Sequence, residues 1–284
     1  MRRSLTALAA VLALVLAFAT PAGAITGGQP DGNAHPYSAL ILVPGVTFCS
    51  GTLIDEDVVL TAGHCTDFWS DTTDDIDIRE VWVTFDSQAA VDPETWLPTG
   101  GTWYRTSRWV THPDYDGDEW PFTADYGLVL LKRPVTGITP AALPELGVVD
   151  DLIGLAGQTD VRFSDVGYGQ DGVNIADRPY TRNFDFIRKY SVQRYNPSNG
   201  AVGTQDPLWL ILGNSPSANH GAGCGGDSGS GIFPLVDGLT NTVVAVHTGG
   251  YRLGYADRIC GRITSLNHRI DVPVVLNWIL QYVD

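Results

Sequence analysis

The chain is poor in positive charge. It has 17 Lys+Arg against 32 Asp+Glu and a formal net charge of −15, and its only lysines are Lys132 and Lys189. A phosphate backbone is held by a concentrated basic patch, so the composition argues against nucleic-acid binding. Cysteine is scarce too. Four in 284 residues are too few for a disulfide-dense mini-protein and enough for two bridges in a larger core. There are no repeats and no low-complexity tract. The one long apolar run, Leu5–Phe18, is shorter than the ~20 residues of a spanning helix.

That run has the flanks of a targeting segment. Arg2 and Arg3 precede it, and Ala22-Gly23-Ala24 follows as a small-x-small cleavage site. An uncleaved anchor is the competing reading, and the Ala-x-Ala flank weighs against it. Residues 1–24 are therefore expected to be a signal peptide, with Ile25 the first residue of a secreted chain that has no membrane attachment after cleavage. Losing the two signal arginines takes the formal charge from −15 to −17. Export also permits disulfides.

What is abundant is apolar and turn-forming: 44% hydrophobic residues, 32 Gly, 17 Pro and 8 Trp, enough to bury a core. Short β-branched and aromatic runs recur between Gly, Pro, Asp and Asn. Ser38–Val43, Val58–Thr61, Val81–Phe85, Tyr126–Leu131, Leu208–Leu212, Gly231–Leu235 and Thr242–His247 read as strands. Their density suggests all-β barrels or sandwiches and argues against βαβ units. One helix is expected at the C-terminus. There Asp271 is a candidate N-cap, Pro273 stands in the first turn, and Val272, Val275, Leu276 and Ile279 form an apolar stripe. A seam near Thr139–Gly147 divides the chain into residues 25–143 and 144–284. Two acidic stretches, Asp67–Asp77 and Asp114–Glu119, read as solvated loops, because neither has EF-hand spacing.

Three stretches carry chemistry: Leu60–Cys65 with His64, Asp125–Leu131 with Asp125, and Cys224–Ser230 with Ser228. A serine hydroxyl needs a base to become a nucleophile, a neutral imidazole is that base near pH 7, and a buried carboxylate fixes the imidazole's tautomer. Glycines around Ser228 let the Gly226 and Ser228 N–H groups converge on an oxyanion. Singly, each stretch reads as an ordinary strand end or turn. All three in this order and spacing are very improbable by chance.

At these residues the chain resembles the trypsin/chymotrypsin-like serine peptidases. Ile25-Thr26-Gly27-Gly28 is similar to the family's mature N-terminus, and Cys49–Ile54 to the strand leading to its catalytic His. Thr111–Tyr115 is similar to the approach to its Asp, Gly226–Gly229 to its nucleophile motif, and Gly261–Thr264 to its last barrel strand. The resemblance implies two antiparallel six-stranded β-barrels with a C-terminal helix. It also implies peptide-bond hydrolysis through an acyl-enzyme, a protein or peptide substrate, a monomer, and no cofactor or metal. It implies that His64 is the general base, Asp125 its orienter, Ser228 the nucleophile, and Gly226 with Ser228 the oxyanion hole. The Ile25 amine would pair with Asp227, and bridges would join Cys49–Cys65 and Cys224–Cys260. Leaving no propeptide between Ala24 and Ile25 would make signal cleavage the activating step.

Departures from the family pattern shape the specificity expected. Ala222 stands where an Arg/Lys-specific enzyme has an Asp, so a basic P1 residue is not supported. Ser230-Gly231 after the nucleophile motif and His247-Thr248-Gly249-Gly250 along the pocket wall, with Gly261 beside it, resemble bacterial glutamyl endopeptidases. Three readings of His247 are open: a donor to an acidic P1 side chain, a contact of Asp125, or a satisfied core histidine. If the first holds, Thr248 falls where a hydroxyl donates to the triad Asp. His35, His112, His220 and His268 read as structural or surface residues. A catalytically silent homologue is the rival class, and the presence of all three catalytic residue types argues against it. An α/β-hydrolase is disfavoured by the absence of a Gly-x-Ser-x-Gly elbow with a downstream acid and His.

Overall fold

The computed structural model describes residues 25, 28–71, 81–118, 120–155, 160–170, 184–196, 207–213, 221, 223–251 and 264–284. Six strands close the first barrel: β2 (Ser38–Val43), β3 (Thr47–Leu53), β4 (Val58–Thr61), β5 (Trp82–Thr84), β6 (Tyr104–Thr111) and β7 (Gly127–Leu131). Their order around the ring is β2-β3-β4-β7-β6-β5, antiparallel throughout. The second barrel is built from β8 (Arg162–Gly167), β9 (Lys189–Tyr195), β10 (Trp209–Gly213), β11 (Gly231–Pro234), β12 (Ala245–Tyr251) and β13 (Thr264–Arg269). Its order is β8-β9-β10-β13-β12-β11, and the β11–β8 pairing closes it.

β2 shows why an unbroken apolar run makes a strand here. Successive side chains point to opposite faces. Ala39, Ile41 and Val43 enter the main core, while Leu40 and Leu42 enter a second cluster with Phe48, Ala89, Tyr168 and Phe186. Both faces are covered, so neither needs a polar residue.

The ends of the chain cross between barrels. The short strand β1 (Gln29–Pro30) pairs with β9 of the second barrel. The C-terminal helix, Pro273–Ile279, buries Val275, Trp278 and Ile279 in one cluster with Leu53, Ile54 and Ala124 of the first. The expected stripe is what packs, but the expected cap is not. Val272 is the N-cap residue and makes no side-chain cap bond. Asp271 is committed elsewhere: it accepts from Arg269 Nε at 2.9 Å and from the Val149 N–H at 2.7 Å.

Two helices were not expected from the sequence. In chain order the helices are α1 (Gly63–Asp71), α2 (Val148–Leu155) and the C-terminal α3. Thus Asp67–Asp71 of the first acidic stretch is helical, not loop, and residues 72–80 lie outside the described residues. The second stretch is loop, bridged at Asp116–Thr123. β7 ends at Leu131 and β8 begins at Arg162, so residues 139–147 lie in the connection between barrels.

Candidate active site

His64 stands at the start of α1, directly after β4. Asp125 precedes β7, which pairs with β4, so the barrel's own register brings the two together. The Asp125 carboxylate accepts from the His64 backbone N–H at 2.7 Å, and its Oδ2 lies 2.9 Å from His64 Nδ1. That contact places the proton on Nδ1 and leaves Nε2 with a lone pair. Asp125 is fully buried. Burial alone would raise its carboxyl, but the charges of His64 and His268 and the hydrogen bonds from His64 outweigh it and hold the group below the ordinary carboxylate range.

Ser228 comes from a turn between the barrels, and Ser50 of β3 anchors that turn. The Ser50 N–H donates to Ser228 O at 2.8 Å. Its Oγ donates to Gly226 O at 2.9 Å and accepts from the Tyr168 N–H at 3.0 Å. Two further bonds orient the peptides. Gly225 O accepts from the Gln170 N–H, and Asp227 O from the Ser230 N–H, each at 2.8 Å. In a trans peptide the N–H points opposite to the C=O. The Gly226 and Ser228 N–H groups are therefore turned away from those partners, and among the described residues neither N–H has one. Gly226 has φ +96°, and a Cβ there would lie 2.2 Å from Phe48, so only glycine fits.

The cleft onto which His64 and Ser228 both open has a volume of 560 Å³ and is also lined by Gly226, Phe48, Trp96 and Phe184. Phe122 packs beside His64 with ring centroids 5.5 Å apart, and Trp120 packs against Phe122 at 5.1 Å. Trp120 also lies over Gly249, whose missing side chain leaves room for it. Cys49 and Cys65 are disulfide-bonded. Their sulfurs approach the His64 ring nitrogens, but a disulfide offers no thiolate to a metal. Cys224 is also disulfide-bonded, while Cys260, Gly261 and Ala222 lie outside the described residues.

Asp227 is fully buried. It accepts from the Gly169 N–H at 2.7 Å and the Cys224 N–H at 2.8 Å. Burial, then the neighbouring Asp165 charge, holds its carboxyl well above the ordinary range. Ile25 is buried as well.

His247 does not meet Asp125. Its Nδ1 faces Asn267 Oδ1 at 3.0 Å, Ser265 Oγ at 3.1 Å and Asp165 Oδ2 at 3.7 Å. The Thr248 hydroxyl lies 2.7 Å from His268 Nδ1, not on Asp125 as expected. His268 is structural: it is buried in β13, its ring centroid 3.8 Å from that of Trp209 with the planes tilted by 42°. Ser50, Asp165, Gln170 and His268 are not singled out by the sequence, because each meets its partner only across a distance along the chain that local pattern does not report.

A profile of the Trypsin family matches residues 24–279. The chain is 27% identical over 240 residues to Mast cell protease 3 of Ovis aries, covering 83% of this chain and 84% of that protein. It is 45% identical over 60 residues to Snake venom serine protease KN11 of Trimeresurus stejnegeri, covering 20% of this chain and 23% of that protein. A family match across nearly the whole chain, on two closed antiparallel barrels, makes this chain a member of the trypsin family and a serine endopeptidase acting on protein or peptide substrates.

Proposed function

We propose that the chain is a secreted endopeptidase working through a Ser228–His64–Asp125 triad. The observation that carries this is the oriented His64–Asp125 pair facing the same cleft as Ser228 and Gly226. His64 Nε2 takes the Ser228 proton as Oγ attacks the scissile carbonyl. The imidazolium so formed is stabilised by Asp125, and the tetrahedral oxyanion by the Gly226 and Ser228 N–H groups. His64 then returns the proton to the leaving amine, and water repeats the sequence on the acyl-enzyme. Release of the Ile25 amine by signal cleavage supplies the cation that Asp227 lacks.

In this reading P1 is not Lys or Arg, and His247 inclines the pocket toward Glu, with apolar or aromatic P1 residues as the second choice. Two tests apply. A fluorophosphonate should label Ser228 and leave Ser228→Ala unlabelled; labelling elsewhere, or turnover by the variant, refutes the triad. A peptide-library profile dominated by Arg or Lys at P1 refutes the pocket assignment.

A further inference from the structure

We propose that Asp165 is the buried counter-charge that makes His247 a hydrogen-bond donor to the P1 side chain, so that the pair sets a preference for an acidic over an amide P1 residue. This rests on the acidic-P1 reading above and assigns it a second residue, from β8.

The backbone of His247 brackets the nucleophile turn. Its N–H donates to Ser230 O at 2.9 Å, and its carbonyl accepts from the Gly229 N–H at 2.8 Å. The tautomer of its ring follows from its neighbours. Asn267 Nδ2 donates to Leu210 O at 3.0 Å, so Asn267 Oδ1 is the atom facing the imidazole. Ser265 Oγ also donates to that oxygen, at 3.1 Å. An amide oxygen only accepts, so His247 Nδ1 carries a proton. The remaining choice lies at Nε2, which has a lone pair if the ring is neutral and an N–H if it is charged. Among the described residues Nε2 has no hydrogen-bond partner. It lies in the space a side chain at Gly223 would fill, 2.6 Å from a Cβ built there, five residues before Ser228.

Asp165 decides between the two states. It is fully buried. Its Oδ1 accepts from Ser230 Oγ and its Oδ2 from Gln193 Nε2 at 3.1 Å. Two accepting oxygens suit a carboxylate. Burial pushes this carboxyl up, and the His247 charge and these two hydrogen bonds offset only part of that, leaving it above the ordinary carboxylate range. An unpaired buried carboxylate is costly, and an imidazolium 3.7 Å away offsets that cost. The other charged groups of this interior act on one another: Asp227 responds to Asp165 and Lys189, and Lys189 pairs with Asp185. With Asp165 ionised, Nε2–H donates to a P1 glutamate. With a neutral ring, the Nε2 lone pair would accept from a P1 glutamine amide instead.

The test compares matched peptides differing only in P1 Glu or Gln, cleaved by the processed enzyme and by Asp165→Asn. The readout is the ratio of kcat/KM values, from which the fraction of active enzyme cancels. The wild type should favour Glu over Gln by at least about tenfold. Asp165→Asn should lower the ratio by at least about tenfold under the same conditions. Should that variant not fold, Ser230→Ala, which removes one donor to the carboxylate, should lower the ratio in the same direction. A wild type that prefers Glu, with a folded variant keeping that ratio, overturns the role of Asp165 and leaves the acidic-P1 reading standing. A wild type with no preference for Glu at any pH overturns both.

Discussion

Gly226 and Ser50 together fix the turn that carries Ser228, the proposed nucleophile. Gly226→Ala would bring a Cβ to 2.2 Å from Phe48 at a φ of +96°, so the turn must open. The expected loss is about 10²–10³ in kcat, as for removal of one oxyanion donor. Ser50→Ala keeps the backbone bond to Ser228 but strips the donor from Gly226 O and the acceptor from the Tyr168 N–H. A fall of about tenfold in kcat with KM little changed is expected. Steady-state kinetics on both variants checks this, and a loss confined to KM would point to substrate contact instead. His64→Ala should lose about as much activity as Ser228→Ala, because triad members act as a unit. A double variant no slower than either single one is the corresponding measurement.

Among the elements, the most heavily used tie is one arginine at the head of β9. Arg188 is fully buried. Its Nε donates to Asp31 Oδ2 at 2.8 Å, and its Nη1 donates to Phe85 O at 2.8 Å and Ser38 O at 3.3 Å. Its Nη2 reaches Gly32 O at 3.2 Å. One guanidinium thus joins the N-terminal segment, the start of β2 and the chain following β5 to the second barrel. Arg188→Ala removes the buried guanidinium from Asp31 and leaves His35, whose Nδ1 lies 2.5 Å from Oδ1, as its remaining side-chain partner; breaking one side of a buried pair costs about 3–5 kcal/mol. Urea unfolding should show a loss of that size, and a loss under 1 kcal/mol would mean that the pair contributes no more than a surface ion pair.

For the whole molecule, charge is the controlling variable, first at one buried pair and then over the surface. If signal cleavage frees the Ile25 amine as proposed, pairing with Asp227 would raise its folded pKa above the unperturbed ~7.7–8.0. A raised folded pKa stabilises fully below the unperturbed value, and the contribution vanishes as pH rises through the folded one. Activity should therefore fall reversibly at alkaline pH, and protein beginning Met-Ile25 should be inactive until the Met is removed. N-terminal sequencing of active enzyme, with pH-jump assays, checks both. An active form starting elsewhere excludes the pair. The surface acts at longer range. At a formal charge of −17 after loss of Arg2 and Arg3, acidic substrates are repelled, so cleavage after Glu should speed up with added salt. A P1 Glu rate that falls or stays flat with salt counts against steering by net charge.

The residue types of the candidate site, and their order His64, Asp125, Ser228, were legible in the sequence. They sit in short motifs whose chemistry does not depend on distant partners. The apolar strands were legible too, because runs such as Ser38–Val43 and Val58–Thr61 are apolar and end at turn residues; β6, β8 and β9, which carry arginine and several polar residues, were not. Boundaries were less so: Val81–Phe85 shortens to Trp82–Thr84 and Thr242–His247 moves to Ala245–Tyr251. Strand ends are decided by the partner strand. The helix α1 is not legible from sequence because Gly63–Asp71 is only nine residues long and opens on glycine, with Cys65, Phe68 and Trp69 as its sole apolar positions. Asp271 looked like a cap until Arg269 and Val149 claimed its oxygens. Tertiary structure alone decided which buried polar groups meet. Asp165 and His247 are 82 positions apart, and Ser50 and Gly226 are separated by 176. Local propensity and spacing carry no information about such pairs, because their proximity comes from closing the second barrel and docking it against the first.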